Sequence, residues 1–303
     1  MKELVIISGK GGTGKTSITA AFASLAHNHI LCDADVDAAD LHLLMNPETR
    51  ETHDFMGGGI AEIRQEDCVS CGTCRDVCTF TAISEDFIVD PIGCEGCGVC
   101  VDFCPEKAID FPPQKCGEWF ISDTRFAPMV HARLGIAEEN SGKLVSVIRQ
   151  QAKKLAEEHA RELLITDGPP GIGCPVIASI TGATALLLVV EPTVSGLHDM
   201  QRVANLATHF SIPTMLCINK FDLNPEISAS IEIDAAARDI RVIGRIPFDP
   251  TFTRAMIERQ NIMEYNPESA LAQKISELWD NIITSEQLNS GKKPEITLTT
   301  IKQ

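Results

Sequence analysis

Short apolar runs recur along the chain, each bounded by turn-forming residues. The first run, Glu3–Ser8, stops at Gly9. A strand that is buried on both faces of a parallel sheet has a continuous apolar sequence, because both faces pack against helices. These runs therefore predict the strands of a parallel sheet. The comparable runs are Leu163–Thr166, Ala185–Val190, Thr214–Ile218 and Val242–Ile246.

Between the runs, apolar residues recur at helical spacing. Ser141 is a candidate N-cap for one such helix. Strands that alternate with helices predict an α/β fold, with a doubly wound and mostly parallel sheet that has helices on both faces. The positions at helical spacing after Ser141 are Leu144, Val147, Ile148, Gln151 and Leu155.

A last helical stripe precedes a polar C-terminal segment. The flanks of the stripe lack basic residues, so a helix packed on the sheet is favoured over a helix that lies on a membrane. Residues 286–303 are polar and contain Gly291 and Pro294, which predicts a mobile tail. The stripe consists of Leu271, Ile275, Leu278, Trp279 and Ile282.

The alternation of strands and helices stops between Gly57–Gly59 and Pro112–Pro113. The segment between this glycine cluster and the diproline is rich in cysteine and acidic residues. We interpret residues 61–112 as an inserted small α+β domain. The main domain is then discontinuous, with residues 1–60 and 113–285.

Composition and charge narrow the class of protein. The chain has 303 residues and a formal net charge of −16, with no Lys/Arg-rich stripe, which argues against a nucleic-acid partner. No run approaches the roughly 20 apolar residues of a membrane span, and the N-terminus lacks the pattern of a secretory signal. Eight of the twelve cysteines fall in two tight quartets, which favours metal ligation over disulfides. We expect a cytoplasmic protein with no membrane or nucleic-acid partner.

A glycine-rich segment, Ser8–Thr16, follows the first predicted strand and opens a helix, as a phosphate-binding loop requires. Its glycines let backbone N–H groups curl round phosphates, and the helix N-terminus adds favourable partial charge. We expect Lys15 to contact the β- and γ-phosphates and Thr16 to contact Mg²⁺. The remaining residues expected to hold the nucleotide here are Gly11, Gly12, Thr13, Gly14 and Ser17.

Lys10 gives this loop a second lysine, in the pattern Lys-Gly-Gly-x-Gly-Lys-Thr. The loop thereby resembles the deviant Walker A motif of the MinD/ParA and nitrogenase iron-protein class of P-loop ATPases. The resemblance implies that Lys10 reaches across a nucleotide-sandwich dimer to the partner's phosphates. A homodimer and a heterodimer with a related ATPase both fit.

The acidic segment Asp33–Leu41 follows a second short strand and resembles switch I of this class. Carboxylates at the end of a strand hold Mg²⁺-bound water or orient the attacking water. We assign Asp35 to the attacking water and Asp33 to the magnesium shell. For Asp37 and Asp40, a cap or a solvated surface position is an equally good interpretation.

Asp167 follows the run Leu163–Thr166 and precedes Gly-Pro-Pro-Gly. Its position resembles that of the Walker B acid at the start of switch II. Strand, acid and glycine turn agree with one another, so we include Asp167 among the catalytic residues.

The segment expected to recognise the base does not by itself decide between ATP and GTP. Asn219–Asp222 matches the Asn-Lys-x-Asp pattern of GTPases, in which the aspartate accepts hydrogen bonds from guanine. The class that the rest of the chain resembles consists of ATPases in which the asparagine reads adenine, so ATP is favoured over GTP. The loop Pro247–Pro250 is expected on the other side of the base, with a plain turn as the alternative. The predicted base-site residues are Asn219, Lys220, Pro247, Phe248 and Asp249.

The two cysteine quartets repeat the bacterial ferredoxin run, Cys-x₂-Cys-x₂-Cys-x₃-Cys. In proteins with two clusters of this type, the fourth cysteine of each run ligates the other [4Fe-4S] cluster. A pair of zinc sites is the alternative, although four-cysteine zinc modules separate their Cys-x₂-Cys pairs by longer loops. The predicted ligands are Cys68, Cys71, Cys74 and Cys104 for cluster 1, and Cys94, Cys97, Cys100 and Cys78 for cluster 2.

Two features qualify this ferredoxin prediction. Thr79 stands where a proline is expected after Cys78. Residues 61–112 contain eleven acidic and three basic residues, so the insert either docks on a basic partner or uses its acids for solubility. The clusters would form a short electron path, with a purely structural role as the alternative.

Four further cysteines lie outside the quartets. Cys32 and Cys217 sit in apolar strands and are expected to be small core residues. Cys174 lies seven residues after Asp167, a spacing that resembles one ligand of the intersubunit cluster in the nitrogenase iron protein. Cys116 or His131 would complete such a bridging site; a structural cysteine is the alternative for Cys174.

Together these motifs, with Thr124–Met129, resemble MinD-superfamily ATPases that carry an inserted ferredoxin domain, and the resemblance extends to about Leu271. It implies a nucleotide-switched factor that assembles or delivers metal–sulfur clusters to a metalloprotein recipient. ATP-gated electron transfer to a redox partner, as in the nitrogenase iron protein, is the second hypothesis. A spatial organiser like MinD or ParA is the third, weakened because no basic DNA-binding face or membrane tail is visible.

Overall fold

The computed structural model describes residues 1–135 and 140–290, which divide into two compact units. The first unit comprises Met1–Thr52, Trp119–Arg133 and the residues from Ser141 onward. The second comprises His53–Glu118 with Leu134, Gly135 and Asn140. The second unit therefore contains the segment 61–112 that the sequence marks as an insertion.

The strands and helices follow one another in an order typical of α/β proteins. The strands are β1 (Lys2–Ser8), β2 (His29–Asp33), β3 (Glu48–Gly59), β4 (Glu62–Ile63), β5 (Ile109–Asp110), β6 (Pro113–Asp123), β7 (Pro128–Leu134), β8 (Leu163–Pro170), β9 (Ala185–Val190), β10 (Thr214–Asn219) and β11 (Arg241–Ile246). The helices are α1 (Lys15–Leu25), α2 (Leu41–Met45), α3 (Thr73–Asp76), α4 (Val99–Asp102), α5 (Ser141–Glu158), α6 (Cys174–Ile180), α7 (Val194–His209), α8 (Pro225–Ala237), α9 (Thr251–Ile257), α10 (Ile262–Tyr265), α11 (Ala270–Ile283) and α12 (Glu286–Asn289).

Nine strands form one sheet in the order β11-β10-β9-β1-β8-β2-β7-β6-β3. The pairs from β11 through to β7 are parallel. In β1, Leu4 and Ile6 pack into the core on one side of the sheet, while Val5 and Ile7 pack into a separate core on the other. Both faces are thus buried, as the continuous apolar run requires, and the predicted doubly wound α/β fold with a mostly parallel sheet is confirmed.

Strand β8 is longer than its apolar run. The sequence ends the strand at Thr166, but β8 continues to Pro170, which pairs with Ser8. The Gly171 N–H donates to the Ser8 carbonyl at 2.9 Å. Asp167 consequently lies within a paired central strand, where neighbours on both sides fix its backbone.

The C-terminal stripe packs inside the first unit. In α11, all five predicted stripe positions are buried, and the Trp279 ring lies 5.0 Å from that of Phe22 in α1. The interpretation as a helix packed on the sheet is confirmed. The first residues of the predicted mobile tail are instead ordered as α12. The Ser285 hydroxyl caps this helix by accepting from Leu288 N–H at 3.3 Å, and Leu288 is buried in the core. Residues 291–303 lie outside the described part.

The second unit repeats a short motif. Helices α3 and α4 each follow a glycine with positive φ, Gly72 at 85° and Gly98 at 74°, a conformation that favours glycine. Strands β4 and β5 pair antiparallel where the chain enters and leaves the segment. A Cβ on Gly59 would lie 2.9 Å from the Phe111 ring, so the two ends of the segment are adjacent.

No helix in the described ranges, 1–135 and 140–290, is long and apolar enough to cross a bilayer.

Candidate nucleotide cleft and cysteine cavities

The glycine-rich loop joins β1 to α1, and its geometry depends on glycine. Gly14 precedes α1 with φ of 91°, and a Cβ there would lie 2.4 Å from Asn219 Nδ2. A Cβ on Gly9 would lie 2.3 Å from the Asp199 Cβ. At Gly14 the close approach combines with a left-handed backbone that glycine adopts at little cost. At Gly9 the close approach to Asp199 alone leaves no room for a side chain.

This loop lines a cleft of about 400 Å³ at the carboxyl ends of the parallel strands. Open α/β sheets bind ligands at this edge. The cleft brings together the predicted phosphate-loop and base-site residues. Its lining includes Gly11, Gly12, Thr13, Gly14, Lys15, Thr16, Ser17, Asp35, Asn219, Lys220, Pro247, Phe248 and Asp249.

Lys15 is buried between two carboxylates. Its Nζ lies 3.1 Å from Asp167 Oδ2 and 3.3 Å from Asp35 Oδ2. Burial alone would lower the pKa of Lys15, but the carboxylates of Asp167, Asp35 and Asp33 outweigh it, and the pKa is raised. Lys15 is therefore a fixed positive charge where the loop would hold phosphate.

The hydrogen bonds of Asp167 and Asp33 differ from the roles that we assigned to these acids from the sequence. Asp167 accepts from the hydroxyls of Thr16 at 2.7 Å and Thr19 at 2.9 Å. Asp33 accepts instead from the backbone N–H groups of Asp35 and Leu41, both at 3.2 Å. The structure thus brings Asp167, rather than Asp33, to the Thr16 hydroxyl that we expect on Mg²⁺.

The pKa values of Asp33 and Asp35 are both raised. For Asp33 the causes are burial and then the negative charge of Asp167, and for Asp35 the first cause is burial. Asp37 and Asp40 are exposed, and Asp40 lines the cleft. The interior therefore holds Asp33 and Asp35 under electrostatic strain that a bound cation would relieve.

On the side of the cleft where we expect the base, the side chains of Asn219 and Asp222 both form hydrogen bonds with main-chain groups. Asn219 donates from Nδ2 to the Thr13 carbonyl at 2.7 Å and accepts from Lys220 N–H at 3.0 Å. Asp222 Oδ1 accepts from Phe248 N–H at 2.6 Å. The Asp222 carboxylate is thus committed to the loop that carries Phe248, whose side chain is 51% exposed beside the cleft.

Two groups of residues at the cleft were not predicted from the sequence. Helix α9 contributes Phe252, Thr253 and Met256 to the cleft, and Ser17 Oγ lies 3.5 Å from Met256 Sδ. Apolar residues directly after the predicted Pro247–Pro250 loop were the available signal.

Glu191 is the second omission. Its carboxylate lies 2.9 Å from Lys10 Nζ and 3.1 Å from Lys220 Nζ. It immediately follows the apolar run Ala185–Val190, as Asp33 and Asp167 follow theirs. This shared position after a strand was a signal in the sequence.

In the second unit, the eight quartet cysteines surround two small cavities, four at each. Each set combines three cysteines of one run with the fourth cysteine of the other run. The cavity linings are otherwise mainly apolar. One cavity is lined by Cys68, Cys71, Cys74 and Cys104, and the other by Cys94, Cys97, Cys100 and Cys78.

The remaining cysteines occupy separate settings. Cys32 and Cys217 are buried in strands, and burial raises the pKa of each thiol, that of Cys217 to about 12. Cys116 is buried, and its thiol donates to the Gly57 carbonyl. Cys174 is exposed at the start of α6, against Gly142. Core positions for Cys32 and Cys217 are confirmed.

His131 is engaged within the sheet. Its Nε2 lies 2.9 Å from Ser122 Oγ, and its ring stacks on Phe120 at 5.0 Å. Burial, with a contribution from His42, lowers the pKa of His131 to about 4. Across 1–135 and 140–290, no three His, Cys, Asp or Glu side chains are arranged around a single-ion site. The bridging site of Cys174 with Cys116 or His131 stays a prediction.

Comparison with known proteins identifies the nucleotide-binding class. The model of the CobQ/CobB/MinD/ParA nucleotide binding domain matches residues 4–262. An uncharacterised protein of Methanocaldococcus jannaschii is 34% identical over 283 residues, which cover 92% of this chain and 96% of that protein. An uncharacterised ATP-binding protein of the same organism is 26% identical, covering 96% of this chain and 90% of its own length.

Among solved structures, the septum site-determining protein MinD of Pyrococcus horikoshii, complexed with Mg-ADP, superposes with a TM-score of 0.59. The match covers 97% of this chain and 99% of that chain, at 16% sequence identity. At this identity the likeness establishes the fold.

Proposed function

Because the chain belongs to the CobQ/CobB/MinD/ParA nucleotide-binding family, we propose that it is an ATP-hydrolysing iron–sulfur protein. Its function is a nucleotide-switched step in the assembly or delivery of metal–sulfur clusters to a metalloprotein recipient. Residues 61–112 are its inserted ferredoxin domain, and the rest of the chain up to residue 285 is its ATPase domain.

One observation carries the iron–sulfur part: the eight quartet cysteines divide four and four around two cavities. This division crosses the two sequence runs, as ligation of two adjacent cubanes requires. Thiolates are the donors that iron–sulfur clusters take. When bound, two [4Fe-4S] clusters would supply low-potential electron transfer, or a cluster that can be transferred.

The protein around the cavities fits clusters better than zinc. Four thiolates that bind one zinc ion converge on a single point with Zn–S distances of about 2.3 Å. Here each set of four cysteines lines a cavity together with apolar side chains. The apolar walls contributed by Ile63, Phe87, Val77 and Phe111 would exclude water from a bound cluster. The Cys104 Sγ also accepts from Ala108 N–H at 3.3 Å, and such bonds tune cluster potential.

The nucleotide part rests on the cleft. Lys15 and the loop N–H groups would bind the phosphates of ATP, Thr16 would bind Mg²⁺, and Asp35 would orient the attacking water. Asp167 holds the Thr16 hydroxyl. ATP is favoured over GTP because the relative that is 26% identical, with 96% of this chain covered, is an ATP-binding protein. Asn219 would then read adenine.

Dimerisation completes the proposed cycle. Lys10 would reach the phosphates held by the partner subunit, in a homodimer or a heterodimer with a related ATPase. ATP would close this dimer and hydrolysis would release it.

Iron analysis of anaerobically prepared protein tests the proposal. Two cubanes predict about eight irons per chain with the absorption and paramagnetic resonance of [4Fe-4S] centres. In the Cys78→Ser variant, the cluster held by Cys94, Cys97 and Cys100 should be lost or altered while the other persists. Cys104→Ser should have the reverse effect.

Cys217→Ala is the matched control, because Cys217 is a core residue of β10 and lies outside both cavities. It should retain the full iron content. Stoichiometric zinc without iron, or loss of the cluster of the same run in Cys78→Ser, would refute the proposed ligation.

Electron transfer is the second candidate function. One cysteine at each cavity, Cys71 and Cys97, is exposed. Clusters bound there would therefore lie within reach of a redox partner. ATP-dependent reduction of an acceptor with the iron content unchanged would favour this function. ATP-dependent loss of iron to an apo-acceptor would favour cluster delivery.

A further inference from the structure

Glu191 joins two lysines beside the phosphate-binding loop. Its Oε1 lies 2.9 Å from Lys10 Nζ, and its Oε2 lies 3.1 Å from Lys220 Nζ. Only 13% of the Glu191 side chain is exposed, against 44% for Lys10. The carboxylate is therefore the anchored member of this pair, and Lys10 is the member free to move.

Local structure explains why Glu191 is anchored. It follows β9, which pairs with β1 in the register Ser8 to Val189. Its carbonyl accepts from Thr193 N–H at 2.8 Å, and the Thr193 hydroxyl caps α7. A Cβ on Gly196 would lie 2.3 Å from the Glu191 carbonyl oxygen, so the absence of a side chain there permits this turn.

Glu191 is charged at neutral pH. Burial would raise the pKa of its carboxyl, but hydrogen bonds from Lys10 and Lys220 outweigh burial and lower it. Lys220 also donates to the Gly12 carbonyl at 3.0 Å. If Lys10 leaves, Lys220 still pairs with the Glu191 carboxylate, so no unpaired buried charge results.

We propose that Glu191 is a positioning residue that holds Lys10 within its own chain until a dimer forms. On dimer closure, Lys10 moves from Glu191 to the phosphates bound by the partner subunit. The inference rests on the proposed function, since it requires that Lys10 acts across a nucleotide-sandwich dimer. Glu191 then sets how much ATP-bound protein is needed before the dimer closes.

The test is the dimer dissociation constant with Mg²⁺ and a non-hydrolysable ATP analogue, measured by sedimentation. Each dimer would release two Lys10–Glu191 contacts, so Glu191→Gln should lower this constant about 5- to 30-fold. In a Lys10→Met background the same substitution should have no effect. Glu232→Gln, which removes the half-buried partner of the exposed Arg245, is the matched control and should leave the constant unchanged.

Two results would overturn the inference. Dimerisation unchanged by Glu191→Gln would show that Glu191 does not restrain Lys10. Equal tightening in the Lys10→Met background would show that the effect runs through Lys220 and the loop.

A second readout separates this inference from the proposed function. In the monomer, acetylation of Lys10 by acetic anhydride should be several-fold faster in Glu191→Gln, because a bonded ammonium reacts slowly. Unchanged acetylation with a normal dimer overturns the role of Glu191 alone. Faster acetylation without any dimer overturns the proposed dimer, and with it the transfer of Lys10.

Discussion

At the scale of single residues, the cleft concentrates charge in the interior. Asp33 is fully buried and Asp167 is 1% exposed, and both lie near the buried ammonium of Lys15. Burying carboxylates costs stability unless opposite charges and hydrogen bonds compensate. Three acids share one lysine here, so the free protein is destabilised by the same groups that would bind magnesium and orient water.

The first prediction concerns Asp33→Asn. Burial and Asp167 raise the pKa of Asp33 above its ordinary value of 3.8. A raised folded-state pKa contributes stability that is full below the ordinary pKa and lost as pH rises through the folded-state pKa. At pH 7.5, without nucleotide, Asp33→Asn should therefore increase the free energy of unfolding, by on the order of 1 kcal/mol. The advantage should shrink as the pH falls.

Urea unfolding between pH 7.5 and 5 measures this difference. Asp40→Asn, at an exposed carboxylate, should change the midpoint little at any pH in the range. A lower midpoint for Asp33→Asn at pH 7.5 would mean that hydrogen bonds to the Asp35 and Leu41 N–H groups outweigh the charge cost.

The second prediction concerns Asp222. The Asp222 carboxylate accepts a hydrogen bond from Phe248 N–H. Asp222→Ala should therefore loosen the loop that carries Phe248 and weaken the binding of ATP and of GTP alike, by about 3- to 10-fold. Competition binding with both nucleotides measures the ratio. A selective loss of GTP would show that Asp222 reads guanine.

At the scale of elements, a buried ion pair fastens α5 to β1. Arg149 donates to the Glu3 carboxylate at 2.8 and 2.7 Å, and Lys153 adds a contact at 2.9 Å. Arg149 also donates to the carbonyl of Thr181 at 3.2 Å and to that of Ala178. One guanidinium thus links the central strand to the end of α6, the helix after Asp167.

The third prediction follows from this link. Arg149→Met should lower the free energy of unfolding by about 3–5 kcal/mol, because it leaves Glu3 with its main partner removed in the interior. The double variant Glu3→Leu/Arg149→Met should recover most of the loss. Arg238→Met, in an exposed pair with Asp234, should cost no more than about 1 kcal/mol. A mild effect of Arg149→Met would indicate that Lys153 suffices to neutralise Glu3.

Most elements could be predicted because they follow from local pattern. The run Glu3–Ser8 became β1, and the stripe around Trp279 became α11. The spacing of each run predicted that three of its thiols lie near one another, and the two-cluster ferredoxin pattern predicted that the fourth joins the other set. The extension of β8 to Pro170 depends on pairing with β1, which no local pattern encodes.

The site was less predictable where contacts come from distant elements. Glu191 is 181 positions from Lys10, so only the folded sheet brings them together. The contribution of α9 to the cleft likewise depends on how the chain returns after β11. Short-range motifs therefore predicted the phosphate loop and the acids, while the contacts of Glu191 and of α9 with the cleft required the tertiary fold.

At the scale of the whole molecule, the chain combines a nucleotide-binding unit with a unit that holds eight cysteines around two cavities. Communication between the proposed ATP hydrolysis and the proposed clusters is the functional question that this combination raises. Our fourth prediction addresses it through Asp35→Asn, which removes the carboxylate assigned to the attacking water.

Asp35→Asn should abolish ATP hydrolysis, reducing the rate at least 100-fold, while the iron content stays at the wild-type level. Phosphate release and iron analysis on one anaerobic preparation measure both. Loss of iron in this variant would mean that cluster retention itself requires the intact switch I acid.

The adjacency of Gly59 and Phe111 has an evolutionary consequence. A segment whose two ends lie close together can be gained or lost as one unit, which we call a cassette. Its gain or loss by an ancestral ATPase requires one short new connection and no change to the strand order of the sheet. Homologous ATPases with and without such a cassette should therefore differ by a clean insertion at this point. The same join offers protein engineers a position at which another small domain can be inserted.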